Sequence, residues 1–208
     1  MLINIYGFPV YKGKISDPEK ILHYIQEYKF GESDVWNANC LVSASHGSSQ
    51  LSDETFVPIN DYIYHEFNNH AAKMMEELGI DMEISASECG NEQCIDCRDM
   101  WVNKYCKGHS QEIHWHVEEE RGILFSFAYF AKYDKEKDAK FTFVNPMPLE
   151  ITNETLRKHP SFSVDMAPDI EEGDILIFPC WMLHYVEEQK TDGPRITVAG
   201  NFYEMLKE

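Results

Sequence analysis

Basic residues are scarce in this chain of 208 residues: Lys and Arg number 18 against 36 Asp and Glu, for a formal charge of -18. Such a surface repels phosphate backbones and anionic headgroups, which argues against nucleic acids and membrane surfaces as partners. No cluster of Lys and Arg interrupts the acidity. Also missing is any apolar run near the ~20 residues that a membrane-spanning helix needs. The start, Met-Leu-Ile-Asn-Ile-Tyr, lacks the basic residues and long apolar stretch of a secretion signal, so the expected location is cytoplasmic. Internal repeats, low-complexity tracts and linkers are absent too, which favours one domain over residues 1–208. There are 6 cysteines, and without a secretion signal they read as reduced thiols or metal ligands rather than a disulfide frame.

Hydrophobic residues at 43% and aromatics at 13% suffice for one sizeable core. Asp17 is placed to cap a helix that starts at Pro18 and carries Ile21, Leu22, Ile25 and Tyr28 on one face. A second helix is expected from Ile59 to Leu78, with Ile59, Ile63, Phe67, Ala71, Met74, Met75 and Leu78 as its stripe and Gly79 as its stop. The segment 37–52 between them reads as loop. From Trp101 onward the period becomes strand-like. Runs at 101–106, 113–118, 123–131, 141–144, 162–166, 175–178, 185–187 and 195–203 alternate with Gly, Pro, Asp and Lys clusters. The expected class is therefore mainly β with N-terminal helices (α+β), a sandwich or jelly roll with helices on one outer sheet. Residues 1–98 would form a helical support and 99–203 the β core. The long connection 146–160 is a candidate for substrate contacts.

The segment from Asn103 to His116 carries the clearest chemistry. Residues two apart on a strand share a face, so His114 and His116 should project together, with Glu118 next. One more donor would complete a facial set of three metal ligands with three positions left open. His184, in Gly-Asp-Ile-Leu-Ile-Phe-Pro-Cys-Trp-Met-Leu-His, is the best third donor. Arg195 follows 11 residues later and opens the last strand as Arg-Ile-Thr. Trp101, Asn103 and Tyr105 share strand parity and should face one cavity.

These elements resemble the Fe(II)/2-oxoglutarate-dependent oxygenase superfamily. Asn103-x-Tyr105-x-x-Gly108, with His114 placed 11 residues after the Asn, is similar to the branch that repairs alkylated nucleic acids. Gly173 to Pro179, then His184 and Arg195, resembles the distal half of the site in prolyl hydroxylases. Phe8-Pro9-Val10-Tyr11 and Trp101-Val102-Asn103 are similar to a group of 2OG-Fe(II) oxygenases from marine bacteria and phages. The resemblance implies a double-stranded β-helix (jelly roll) and a dioxygenase that hydroxylates a C–H bond with release of succinate and CO2. It also implies Fe(II) on the catalytic set His114, His116 and His184. It assigns the far carboxylate of 2-oxoglutarate to Arg195, with Thr197, Asn103 and Tyr105 as further co-substrate contacts.

One departure stands out: His116 occupies the place where most of the superfamily has Asp or Glu. Three neutral imidazoles leave an iron site one charge more positive than two imidazoles and a carboxylate. A shift of two residues would use His116, Glu118 and His184 instead, although the spacing from Asn103 and Gly108 favours His114 and His116. A three-His iron dioxygenase that does not use 2-oxoglutarate and a non-catalytic jelly-roll binding module are the competing readings. With the charge set against nucleic acid, the expected substrate is a protein or a small molecule.

Cys89, Cys94, Cys97 and Cys106 form a second group that zinc would accept. Cys106 lies on an expected strand and no second close pair exists, so reduced thiols are preferred over a structural zinc. Cys40 and Cys180 read as small buried hydrophobes. His23, His65, His70 and His159 read as structural or exposed residues, and His46 and His109 as residues of polar loops.

Overall fold

Helix α1 (Pro18–Gln26) begins where a side chain can replace a missing backbone partner: Asp17 Oδ1 accepts from the Lys20 amide at 3.0 Å. Its inward residues Ile21 and Ile25 are buried, as is Tyr28 just beyond it. In the computed structural model, residues 1–26, 28–32, 38–43, 61–81, 83–84, 93–117, 122–146, 156, 159 and 162–206 are described. Helix α2 (Asp61–Leu78) buries Ile63, Phe67, Ala71, Met74 and Met75. It ends as its sequence suggests, with Gly79 at φ 69°. There the Gly79 amide reaches Glu76 O at 3.0 Å and the Ile80 amide Met75 O at 3.0 Å, the paired bonds of a Schellman stop. The expected helical residue Ile59 lies outside the described residues. No helix among the described residues is long and apolar enough to cross a membrane.

The rest is mostly strand, in two facing sheets. The larger sheet has the order β1 (Leu2–Ile5), β2 (Phe8–Lys14), β12 (Asp174–Pro179), β9 (Ile123–Lys132), β14 (Arg195–Leu206), β7 (Gln93–Tyr105), β5 (Leu41–Val42) and β3 (Gly31–Glu32). A short β6 (Glu83–Ile84) runs parallel beside β7; the other pairings are antiparallel. The smaller sheet has the order β11 (Asp165–Met166), β10 (Phe141–Val144), β13 (His184–Val186), β8 (Ser110–His114) and β4 (Ala38–Asn39). This is the expected jelly roll with helices on one outer face.

The continuous apolar run of β12 shows how the layers form. Ile175 and Ile177 join Phe67, Met74, Phe127 and Tyr129 in the core under the helices. Leu176 and Phe178 point the other way, into the core between the sheets with Phe130, Phe141 and Phe143.

The N-terminal part differs from expectation, because it contributes strands as well as helices. Residues 1–14 form a hairpin that extends the larger sheet, turned by Tyr6 at φ 53° and Gly7 at φ 90°. Two successive positive φ values are what a tight hairpin turn requires. Pro9 argues against a strand in the sequence. However, the β2–β12 ladder runs only from Lys14 to Tyr11, so its missing N–H costs no bond there. Two short strands, β4 and β5, also replace part of the expected loop 37–52. In the other direction, β8 stops at His114 rather than 118, and β11 is only a fragment of 162–166.

Two tight approaches give testable consequences. A Cβ on Gly200 would lie 2.2 Å from Asp99 O and 2.7 Å from the Phe127 ring. Gly200→Ala should therefore destabilise the protein by about 1–3 kcal/mol in urea unfolding, and an unchanged midpoint would contradict this packing. His70 on α2 is 3% exposed and sits 3.0 Å from Tyr11 Oη. Burial, helped by Lys73, pulls its pKa from 6.5 down to about 4. The unfolded chain then binds this proton more readily than the folded one, so the contribution is complete above 6.5 and lost as pH falls towards 4. The stability difference between wild type and His70→Gln should narrow across that window. A difference that stays constant with pH would refute the assignment.

Candidate metal centre

Strand pairing brings the first two imidazoles together. β8 and β13 are antiparallel with His114 directly opposite His184, so both side chains leave the sheet on one face with ring centroids 4.2 Å apart. His116 lies two residues past the end of β8, where its amide donates to Cys180 O at 2.9 Å. Its ring stacks parallel to His184 at 5.2 Å and lies over Trp101 at 5.7 Å. One nitrogen from each of the three rings lies within 4.8 Å of the others. Glu118, the alternative donor, lies outside the described residues.

The rings are also oriented. His114 Nδ1 donates to Glu112 O at 2.8 Å and His184 Nδ1 to Met182 O at 2.8 Å, which leaves each Nε2 lone pair facing the pocket. Phe141 and Phe178 stand 5.2 and 5.0 Å from the His184 ring and keep its surroundings apolar. Burial lowers the pKa of all three, with the neighbouring imidazoles adding to the effect for His116 and His184. His116 falls to about 3. The set is thus held neutral at ordinary pH, the state in which imidazole binds a metal.

The opposite wall is built from β7 and β14. Their register sets Tyr105 against Arg195, Asn103 against Thr197 and Trp101 against Ala199, and all six line the pocket with the three histidines. The strand parity read from the sequence is therefore the one observed.

Arg195 is 0% exposed, and Nε and both Nη atoms have no hydrogen-bond partner among the described residues. Its guanidinium carbon stands 4.8 Å from the Tyr105 ring centroid, 5.5 Å from Phe130 and 5.7 Å from Tyr133. Burial lowers its pKa and the Tyr105 oxygen partly opposes that, yet a guanidinium remains protonated. An aromatic box softens the loss of water but supplies no negative charge to balance the cation. The arrangement thus offers neutral metal donors at one end and an unpaired cation at the other, matched to an anion lying between them.

Two supporting residues escape sequence reasoning. Gln189 is fully buried and its Nε2 lies 2.7 Å from Asp138 Oδ1, 2.8 Å from Thr191 Oγ1 and 3.1 Å from Gly193 O. Its Oε1 accepts from the Ala139 amide at 2.7 Å, so this side chain fixes the turn that leads into Arg195. Gln111 accepts from Tyr105 Oη at 2.6 Å and places Nε2 3.3 Å from His114 Nε2. Counting by twos puts Gln111 on the outer face. A bulge sets His114 and Gln111 against His184 and Val186, three residues against two, and turns Gln111 inward.

The other candidates fall elsewhere. His109 Nδ1 accepts from the Cys106 amide at 3.2 Å and serves its own turn. His46 and most of 146–160 lie outside the described residues. The cysteine reading needs correction. Cys94 is disulfide-bonded and offers no thiolate, so the chain is not wholly reduced. Cys97 is a free buried thiol whose pKa burial and two nearby aspartates push well up, and Cys106 is free. Cys89 lies outside the described residues. Both Cys94 and Cys97 sit in the extended backbone of β7 instead of a chelating turn, so no zinc set forms among the described cysteines.

Residues 99–201 match the family model described as "Putative 2OG-Fe(II) oxygenase", a stretch that includes every pocket residue named above. The sequence matches none of the curated proteins compared with it. Similar solved structures include a prolyl-4-hydroxylase of Pseudomonas putida, at 9% identity and TM-score 0.58, covering 93% of this chain and 91% of that one. HygX from Streptomyces hygroscopicus with nickel, 2-oxoglutarate and hygromycin B bound matches at 10% identity and TM-score 0.58, covering 95% and 82%. The viral collagen prolyl hydroxylase of Paramecium Bursaria Chlorella virus-1, a 2-oxoglutarate complex, matches at 12% identity and TM-score 0.52, covering 93% and 94%. At these identities the likeness is one of fold.

A buried cation with no hydrogen-bond partner among the described residues is a cost to the fold. Arg195→Met should leave the ligand-free protein at least as stable as wild type, with a gain of up to ~2 kcal/mol in urea unfolding. A loss of similar size would mean that the guanidinium stabilises the fold in its own right.

Proposed function

The chain belongs to the 2OG-Fe(II) oxygenase family through residues 99–201, and on that premise we propose that it is an Fe(II)- and 2-oxoglutarate-dependent dioxygenase acting on a C–H bond of a protein or small molecule. The observation that carries this reading is the buried guanidinium of Arg195, with no hydrogen-bond partner among the described residues and set across one pocket from three neutral imidazoles. The donor set fits the metal: His114, His116 and His184 converge, with Nε2 unprotonated on the first and last, a pattern suited to a non-haem iron site with open positions. Iron held there would activate O2 with oxidative decarboxylation of 2-oxoglutarate to succinate and CO2.

The chain's own residues do the rest. Arg195 offers a planar fork to the far carboxylate of the co-substrate, a charged acceptor of a kind that its N–H groups do not meet among the described residues. Thr197 and Asn103, each 4% exposed, stand beside it on the same wall as further polar contacts. The walls of Trp101, Phe141 and Phe178 exclude water, which strengthens each charge contact inside. His116 in place of a carboxylate leaves the metal's charge less cancelled and favours a dianionic ligand.

A three-His dioxygenase that does not use 2-oxoglutarate would leave Arg195 without a function, and a binding module would leave both ends of the pocket without one. For the substrate, the charge of -18 disfavours nucleic acid. Relatives by fold that are a collagen prolyl hydroxylase and a protein holding hygromycin B support a protein or small-molecule target.

Anaerobic addition of Fe(II) and then 2-oxoglutarate should produce a visible charge-transfer band, with succinate formed once air is admitted. Arg195→Met should weaken 2-oxoglutarate binding by ~100-fold or more while metal binding persists. Absence of the band in wild type, or an unchanged affinity in the variant, would overturn this reading.

A further inference from the structure

Gln111 touches both ends of the pocket, and the protons in its network can be placed. The Glu112 carbonyl only accepts, so His114 Nδ1 carries the hydrogen of the 2.8 Å bond between them and Nε2 presents a lone pair. At the other side the Tyr105 hydroxyl donates to Gln111 Oε1 at 2.6 Å. The carboxamide is then fixed in one orientation, with its NH2 group 3.3 Å from His114 Nε2. A single imidazole lone pair cannot serve an amide hydrogen and a metal ion together.

We propose that Gln111 is a co-substrate-binding residue whose amide N–H is released by metal binding and then donates to the anion beside the metal. This rests on the functional reading above. When a metal takes His114 Nε2, the NH2 group loses its acceptor inside a pocket whose nearest new acceptor is the bound carboxylate. Oε1 meanwhile keeps its bond from Tyr105, whose ring stands 4.8 Å from the Arg195 guanidinium carbon. One network therefore holds donors for both ends of a dicarboxylate, and the donor at the metal end becomes available only after the metal arrives. Metal loading and co-substrate affinity are coupled in consequence, and the coupling runs through Gln111.

The two affinities should respond with opposite sign. Removing the amide removes a competitor for the His114 lone pair, so metal binding is unchanged or tighter, whereas co-substrate binding weakens. A glutamine that only supports the fold would weaken both. The test uses Mn(II) and 2-oxoglutarate in calorimetric titrations of wild type, Gln111→Leu and Gln111→Glu. The glutamate variant keeps the acceptor for Tyr105 and loses the N–H, which guards against a leucine variant that folds poorly. Both variants should bind Mn(II) at least as tightly as wild type and bind 2-oxoglutarate to the Mn(II) form roughly tenfold less tightly. Unchanged 2-oxoglutarate affinity, or a parallel loss of Mn(II) affinity, would overturn the proposal. Wild-type protein that takes Mn(II) but no 2-oxoglutarate would instead overturn the functional reading, and this inference with it.

Discussion

The guanidinium of Arg195 sits at 0% exposure with no hydrogen-bond partner on any of its nitrogens among the described residues, and much of the structure serves to keep it there. Its place is set by the β7–β14 register, which puts it opposite Tyr105. Its entry is set by the buried Gln189, which ties the preceding turn to Asp138 and Ala139. Its surroundings are the rings of Tyr105, Phe130 and Tyr133. Desolvating a cation costs several kcal/mol unless an anion repays it. A fold that bears that cost and spends this many contacts on holding the group still is built around a ligand with a negative end.

The other end of the pocket follows the same logic with opposite means. Burial strips protons from His114, His116 and His184, so the donors are neutral while the cation opposite is permanent. A metal held there would make the cavity strongly positive inside a protein whose formal charge is -18. The acidic exterior repels polyanions over long distances, while the local field of the pocket acts within a few ångströms on one small dianion. Surface charge and pocket charge thus select at different ranges. Gln111 spans the two ends and gives the metal a way to influence the anion's affinity.

Much of this was legible in the sequence because it depends on period-two parity. Trp101, Asn103 and Tyr105 share a face in β7, and pairing with β14 carries Arg195 and Thr197 to that same face. The cap at Asp17 and the stop at Gly79 were readable for the same local reason: each meets a backbone need within four residues. What stayed hidden depends on partners far away in the chain. The β8 bulge that turns Gln111 inward is set by β13, some seventy residues on. The hairpin of β1 and β2 hides behind Pro9, whose missing N–H matters only once β12 is known to stop short of it. The cysteines read as reduced thiols, which holds for Cys40, Cys97, Cys106 and Cys180 but not for the disulfide-bonded Cys94, whose state no local pattern reveals.

The central claim is that the pocket recognises both ends of a dicarboxylate, one at the metal and one at Arg195. The most direct test compares 2-oxoglutarate with 2-oxobutyrate, which keeps the 2-oxo acid group and lacks the far carboxylate, by titration into the Mn(II)-loaded wild-type protein. The account predicts that 2-oxoglutarate binds more tightly by ~100-fold or more, because only it gives the buried guanidinium an acceptor. Equal affinities for the two acids would contradict it.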